Sequence, residues 1–244
     1  VSGLREVDPH SFAKPAPEIP WVVKGLVAQG ALTVMAGVGG LGKSSLALAL
    51  AAASAQGKTA YAGFEIRKTM RMMYVDAENG FEEMHRRAHY FRQYTGFFEF
   101  DGDMEQHLPG LGHHAGHGND PAFIVLDSFR ALYPNVEEDN SKSVLPALQD
   151  LQRLARFSQC AILLLHHTTK SGGVFRGSGE FQNRPELTIT MKRDRDGVGR
   201  YLDWEKCRLG VEPSRHHLRI SGLNGGMSWE HHHPQHTSNA DWEV

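Results

Sequence analysis

Lys43 and Ser44 close the stretch GVGGLGKSS, in which four glycines fall within six positions. The spacing G-x-x-x-x-G-K-[ST] runs through Gly37, Gly42, Lys43 and Ser44, and its chemistry is that of holding phosphate. A loop this rich in glycine gives up much conformational freedom when it orders, so a bound group has to offset the loss. Its backbone amides, from Gly37 through Val38, Gly39, Gly40, Leu41 and Gly42 to Ser45, can converge on a triphosphate. Lys43 would then reach the β- and γ-phosphates, and the Ser44 hydroxyl would ligate Mg²⁺. The competing reading is a glycine turn that only tightens the packing of a strand on a helix.

Two acidic segments could serve the same phosphate. AFIVLDS puts Asp127 at the carboxyl end of an apolar run, where open parallel sheets carry their ligand sites and a carboxylate can hold the Mg²⁺ shell. YVDAENGFEE supplies Asp76 and Glu78, which alternation along a strand would put on one face with Ala77 on the other. One of them could orient and deprotonate an attacking water. Alternatively Asp76, Glu78 and Asn79 cap the next helix, whose first turn carries Glu82 and Glu83. Spacing alone leaves that choice open.

The elements that must position these groups are legible as an alternation. ALTVMAG leads to a helix from Lys43, MRMMYVDAE to a helix over FEEMHRRAHYFRQY, and AFIVLD to a helix around LPALQDLQRLARF, after which comes AILLLHH. Apolar runs alternating with helical patterns predict an α/β fold, a mainly parallel twisted sheet flanked by helices. Leu145, Leu148, Leu151 and Leu154 form an expected apolar stripe, with Pro146 in the first turn of its helix. Beyond residue 184, PELTITMKRD, RYLDWEKCR and HHLRISG read as antiparallel strands, a C-terminal extension of the sheet.

Three regions are expected: a proline-rich lead-in over 1–24 with Trp21 packing on the core, the main domain over 25–222, and a flexible, poorly ordered tail over 223–244. EFDGDMEQHLPGLGHHAGHGND, between the second acidic segment and Asp127, reads as loop. A net charge of −2 means that any contact with nucleic acid must come from a local basic patch. Two cysteines without CxxC spacing, no apolar run of about 20 residues, and an opening VSGLREVDPHSF without a signal-like apolar core lead to the expectation of a cytoplasmic protein away from the membrane.

Taken together, GVGGLGKSS, YVDAEN, FIVLDSFRAL, LLLHHTTKSGG, FRGSGE and EKCRLG resemble the RecA-like P-loop ATPase core, and in detail the RepA-type hexameric replicative helicases with their plasmid and phage relatives, over roughly residues 20–210. The resemblance implies an ATPase using ATP and Mg²⁺, Glu78 as the carboxylate that activates water, and His167 as a sensor of the γ-phosphate. It implies a homo-oligomer, a hexameric ring, on single-stranded DNA, with a primase or replication initiator as partner. Arg176 resembles the arginine that RepA-like rings insert into the neighbouring subunit's site. Lys206 and Arg208, two apart on an expected strand and so on one face, resemble the Lys-x-Arg pair that DnaB-type helicases use in trans. Arg208 assisted by Lys206 is the favoured reading, with Arg176, Lys170 and Arg130 in loops toward DNA phosphates.

Two other classes share the phosphate loop. A recombinase-like, nucleotide-gated DNA-binding or adaptor protein would use ATP for assembly and do no unwinding, and a small-molecule kinase would need an arginine-rich lid that this sequence lacks. The histidine groups His113, His114 and His117, and His231, His232, His233 and His236, could in principle bind a transition metal, but they lack the mixed ligands and second shell of most metal sites, and no metal role is assigned to them.

Overall fold

The computed structural model describes residues 8–116, 120–168, 177–195, 197–210, 215–221 and 228–232. A 3-10 turn, Pro9–Ala13, precedes a small strand pair, β1 (Trp21–Val23) and β2 (Val27–Ala28). Then β3 (Leu32–Gly37) runs through the glycine loop into α1 (Lys43–Ala55), and a hairpin of β4 (Ala60–Tyr61) and β5 (Phe64–Glu65) leads to β6 (Arg71–Asp76) and α2 (Phe81–Phe91). After β7 (Phe97–Glu99) and α3 (Met104–Ala115) come β8 (Ala122–Asp127), the single turn α4 (Phe129–Leu132), the long α5 (Ser141–Ser158) and β9 (Ala161–His167). The chain closes with α6 (Glu180–Asn183) and four strands, β10 (Leu187–Arg193), β11 (Arg200–Cys207), β12 (His216–Ser221) and β13 (Ser228–His231).

Nine of these strands form one sheet in the order β13-β12-β11-β10-β3-β9-β8-β6-β7. From β10 to β7 neighbours are parallel, and from β10 to β13 they are antiparallel. This is the RecA-like arrangement, with the C-terminal antiparallel extension β11–β13 joined to β10, which itself runs parallel to the strand that carries the glycine loop.

The central strands are apolar throughout because both faces are covered. Met35, Val125, Leu163 and Leu165 face a core built on α1. Their alternate neighbours Val34, Ala36, Leu126, Ile162 and Leu164 face a second core with α3, α4 and α5. α1 is apolar nearly all round, and all but two of its residues are buried, which suits a helix enclosed between sheet, hairpin and neighbouring helix. Trp21 packs with Ala28, Ala31 and Leu187 at the start of β10.

Several local expectations give way. Met104–Ala115, read as loop, is a helix that encloses Pro109. It starts on the Asp103 side chain, which accepts from the Glu105 amide at 3.1 Å, and it buries Met104, Leu111 and Ala115; tertiary packing overrides weak propensity here. The segment expected to be flexible from 223 contains β13, whose Trp229 is buried. On α5 the buried face is Val144, Ala147, Leu148, Leu151 and Ala155, because steps of three drift off the 3.6-residue turn and leave Leu145 and Leu154 at its flanks. α5 starts at Ser141, so Pro146 falls in its second turn rather than its first. Among the described residues no helix is long and apolar enough to cross a membrane.

Candidate active site

Register brings the chemical groups to one edge of the sheet. Gly37 pairs with His167 across β3 and β9, and Asp76 pairs with Asp127 across β6 and β8, each at the carboxyl end of its strand. Parallel strands place their ligand crevices there. Beyond these ends lies a cavity of about 290 Å³, lined in part by Lys43, Ser44, Glu78, Asp127 and His167.

The glycines of the loop are not equivalent. A Cβ on Gly37 would sit 2.6 Å from the Met191 carbonyl oxygen of β10, so only glycine lets the two strands run this close. Gly40 and Gly42 take φ of 77° and 94°, the left-handed region that glycine enters without penalty. A Cβ on Gly39 or Gly40 would meet nothing within 4 Å, so their backbone borders open space. Leu41, in contrast, is buried and pins the loop to the core. This fits a phosphate cradle at the N-terminal, positive end of α1.

Lys43 Nζ donates to the carbonyl oxygens of Gly37 at 2.7 Å and Val38 at 3.1 Å. Burial lowers its pKa, while the charges of Asp127 and Glu78 work the other way. Ser44, half-buried, lines the same cavity as Asp127; a hydroxyl and a carboxylate beside a phosphate cradle are the donor set that suits Mg²⁺.

The two carboxylates that spacing could not separate have different surroundings. β6 ends at Asp76, so strand alternation does not extend to Glu78. Asp76 is fully buried and accepts from the amides of Glu78 at 3.0 Å and Asn79 at 2.8 Å, which fixes the turn after the strand. Burial raises its pKa against those hydrogen bonds, and the nearby Asp127 adds to the rise. Glu78 instead projects into the cavity with its side chain 45 % exposed and Oε2 3.6 Å from His167 Nε2. His167, with the Ser128 hydroxyl and the charge of Lys43 adding to it, holds this carboxyl down at about 2.

A network that the sequence did not reveal lies beneath. Tyr74 Oη donates to Asp127 Oδ2 at 2.5 Å, and Arg87 of α2 donates to Tyr74 Oη at 2.8 Å. The Arg87 guanidinium also lies 3.6 Å from Asp127, 3.7 Å from Asp76 and 3.0 Å from Glu83. Two buried carboxylates at adjacent strand ends would repel, and the guanidinium compensates both. Burial and the charge of Asp127 push the Tyr74 hydroxyl well above its usual range, so it stays a donor. The Glu83–Arg87 spacing of four on a helix was the available hint. It says nothing of strand ends brought close by the fold.

β11 ends at Cys207, so strand alternation does not extend to Arg208, and Lys206 and Arg208 both reach the end of α6 rather than the cavity. Lys206 Nζ donates to the Gln182 carbonyl at 3.1 Å and also to Asn183, and Arg208 donates to the Asn183 carbonyl at 2.7 Å. Burial and the like charge of Arg208 lower the Lys206 pKa. Arg130 donates to the Val136 carbonyl at 3.2 Å. Arg176, Lys170, His117, His233 and His236 lie outside the described residues. Among the described residues, no group of three or more His, Cys, Asp or Glu is arranged to hold a metal ion.

A family model described as an AAA domain matches residues 2–173. Among solved structures the chain is similar to the ATPase domain of G40P, with TM-score 0.64 and 12 % identity over 82 % of this chain and 85 % of that one. It is also similar to the KaiC-like protein PH0186 from Pyrococcus horikoshii OT3, with TM-score 0.63 and 13 % identity over 86 % of this chain and 93 % of that one. At such identities the likeness is one of fold.

Proposed function

This chain belongs to the AAA domain family and is a P-loop ATPase, and from that premise we propose that it is an ATP-driven motor on single-stranded DNA, a helicase or translocase of the RepA-like hexameric type. The observation that carries the proposal is the convergence of Lys43, Glu78, Asp127 and His167 on one cavity. The resemblance in YVDAEN, the double-histidine strand end and EKCRLG supports the finer reading.

In this reading the triphosphate draws Lys43 Nζ away from the Gly37 and Val38 carbonyls. Ser44 and Asp127 would hold Mg²⁺, whose positive charge would offset the negative charge of the phosphates. Glu78 takes the proton of the attacking water. A carboxylate held at about 2 is a weak base at neutral pH, so it must part from His167 first. A γ-phosphate oxygen competing for His167 Nε2 has that effect, which makes His167 the sensor that reports to the segment after β9.

Arg208, assisted by Lys206, completes the neighbouring subunit's site after leaving the α6 carbonyls; Arg176 competes for the role. Arg130, Lys170 and Arg176 otherwise contact DNA phosphates, and with so few cations binding falls steeply with salt. A primase or replication initiator is the partner that suits such a motor.

The test is the ATPase rate with and without single-stranded DNA, paired with native mass in the presence of an ATP analogue. Stimulation by DNA, a closed ring and displacement of a strand from a forked duplex are expected. An open filament or unchanged monomer without displacement would favour the recombinase-like adaptor, and phosphate transfer to a small acceptor would favour a kinase.

A further inference from the structure

β13 is the outermost strand of the extension, four steps across the sheet from β3, yet it touches α1. Each step rotates the strands by roughly 20–25°, so four accumulate to roughly a right angle and curl the edge back over the helix. The side chain that makes the contact is Trp229, which is 2 % exposed. Its indole Nε1 donates to the Ser45 hydroxyl at 3.1 Å. Its six-membered ring lies against Gly42, where a Cβ would come within 2.7 Å of Cζ2. Its own amide donates to the Tyr61 hydroxyl at 3.1 Å, which ties β13 to the β4–β5 hairpin.

We propose that Trp229 is a positioning residue of the nucleotide cradle, holding Gly42 and Ser45 and so fixing the two residues between them, Lys43 and Ser44. The proposal rests on the reading of this cavity as a nucleotide site. Gly42 is then glycine for two reasons, its left-handed φ of 94° and the indole that occupies the space of a side chain. The free loop would lose conformational freedom on binding phosphate, and an indole that clamps its end removes part of that loss beforehand. Such a residue tunes nucleotide affinity and leaves the chemical step alone, because neither Glu78 nor His167 touches it among the described contacts.

The experiment compares the full chain with Trp229→Phe, which keeps a ring and loses the N–H, and with Trp229→Ala. ATP and ADP affinities, KM and kcat are measured, with far-UV circular dichroism as the check on folding. One lost hydrogen bond corresponds to about a three- to ten-fold rise in KM and in the ADP dissociation constant for Trp229→Phe. The rise is larger for Trp229→Ala, and kcat stays within about two-fold. ADP should also change the tryptophan emission of the natural chain and leave that of Trp229→Phe unchanged. If the natural chain binds ADP and folded Trp229→Phe binds it equally well, or if kcat falls while KM holds, the proposal is overturned and the nucleotide site stands. If the natural chain binds neither nucleotide, both readings fall. Should Trp229→Ala not fold, Trp229→Phe decides.

Discussion

Glu78 Oε2 and His167 Nε2 lie 3.6 Å apart although β8 separates their strands in the sheet. The turn after Asp76 makes this possible: the Ala77 amide donates to the Asp127 carbonyl oxygen at 3.0 Å, which carries the chain across the end of β8 toward β9. Glu78 and His167 are therefore brought together across the end of β8 rather than through direct strand pairing.

Replacing Glu78 by Gln should leave ATP and Mg²⁺ binding intact and lower hydrolysis by about 10²- to 10⁴-fold, the usual loss when a general base is removed. Calorimetric binding beside single-turnover hydrolysis checks this. Normal turnover would remove Glu78 from the mechanism.

The depressed Glu78 carboxyl also has a consequence for acid stability. Its contribution is fully present above the unfolded value of about 4.3 and is lost as pH falls through about 2. The side chain is 45 % exposed, so solvent screens the effect and it stays small. His167→Ala should raise this carboxyl toward the ordinary range and remove part of the pH dependence of stability between these limits, as read from acid unfolding followed by circular dichroism.

Arg87→Met should destabilise the fold by about 3 kcal/mol, because Asp76 and Asp127 would stay buried without their shared cation. Mg²⁺ should recover more stability in this variant than in the natural chain, since a dication can replace the guanidinium at Asp127. Urea denaturation with and without Mg²⁺ measures both.

Lys43→Ala should abolish nucleotide binding, and Arg208→Ala should leave binding near normal while turnover falls by about 10³-fold or more. Neither alone should turn over ATP. Mixing the two should restore partial activity if Arg208 serves the neighbouring site, whereas a cis role would leave the mixture inactive. The same pairing with Arg176→Ala tests the competitor.

What could be read from the sequence was local. Gly37 to Ser44 declare themselves by spacing and Asp127 by closing an apolar run, since a parallel strand puts its last residue at the ligand edge whatever its neighbours, whereas His167 was singled out only by the resemblance. Tyr74 and Arg87 were not legible because their partners come from three elements whose adjacency only the fold defines. α3 was hidden by Pro109, Gly110 and Gly112, which lower helix propensity while burial of Met104, Leu111 and Ala115 decides the outcome. β13 was hidden by its setting among glycines and histidines, where a four-residue strand leaves almost no period to detect.

The enclosure of α1 sets where the molecule can breathe. A helix enclosed by the sheet, the β4–β5 hairpin, α2 and β13 opens only when much of the domain opens, so its amides should be among the slowest to exchange with deuterium. The phosphate loop is thus mounted on a helix expected to be stiff. If nucleotide turnover moves any element, the movement is expected in what surrounds the cradle while the cradle itself stays still.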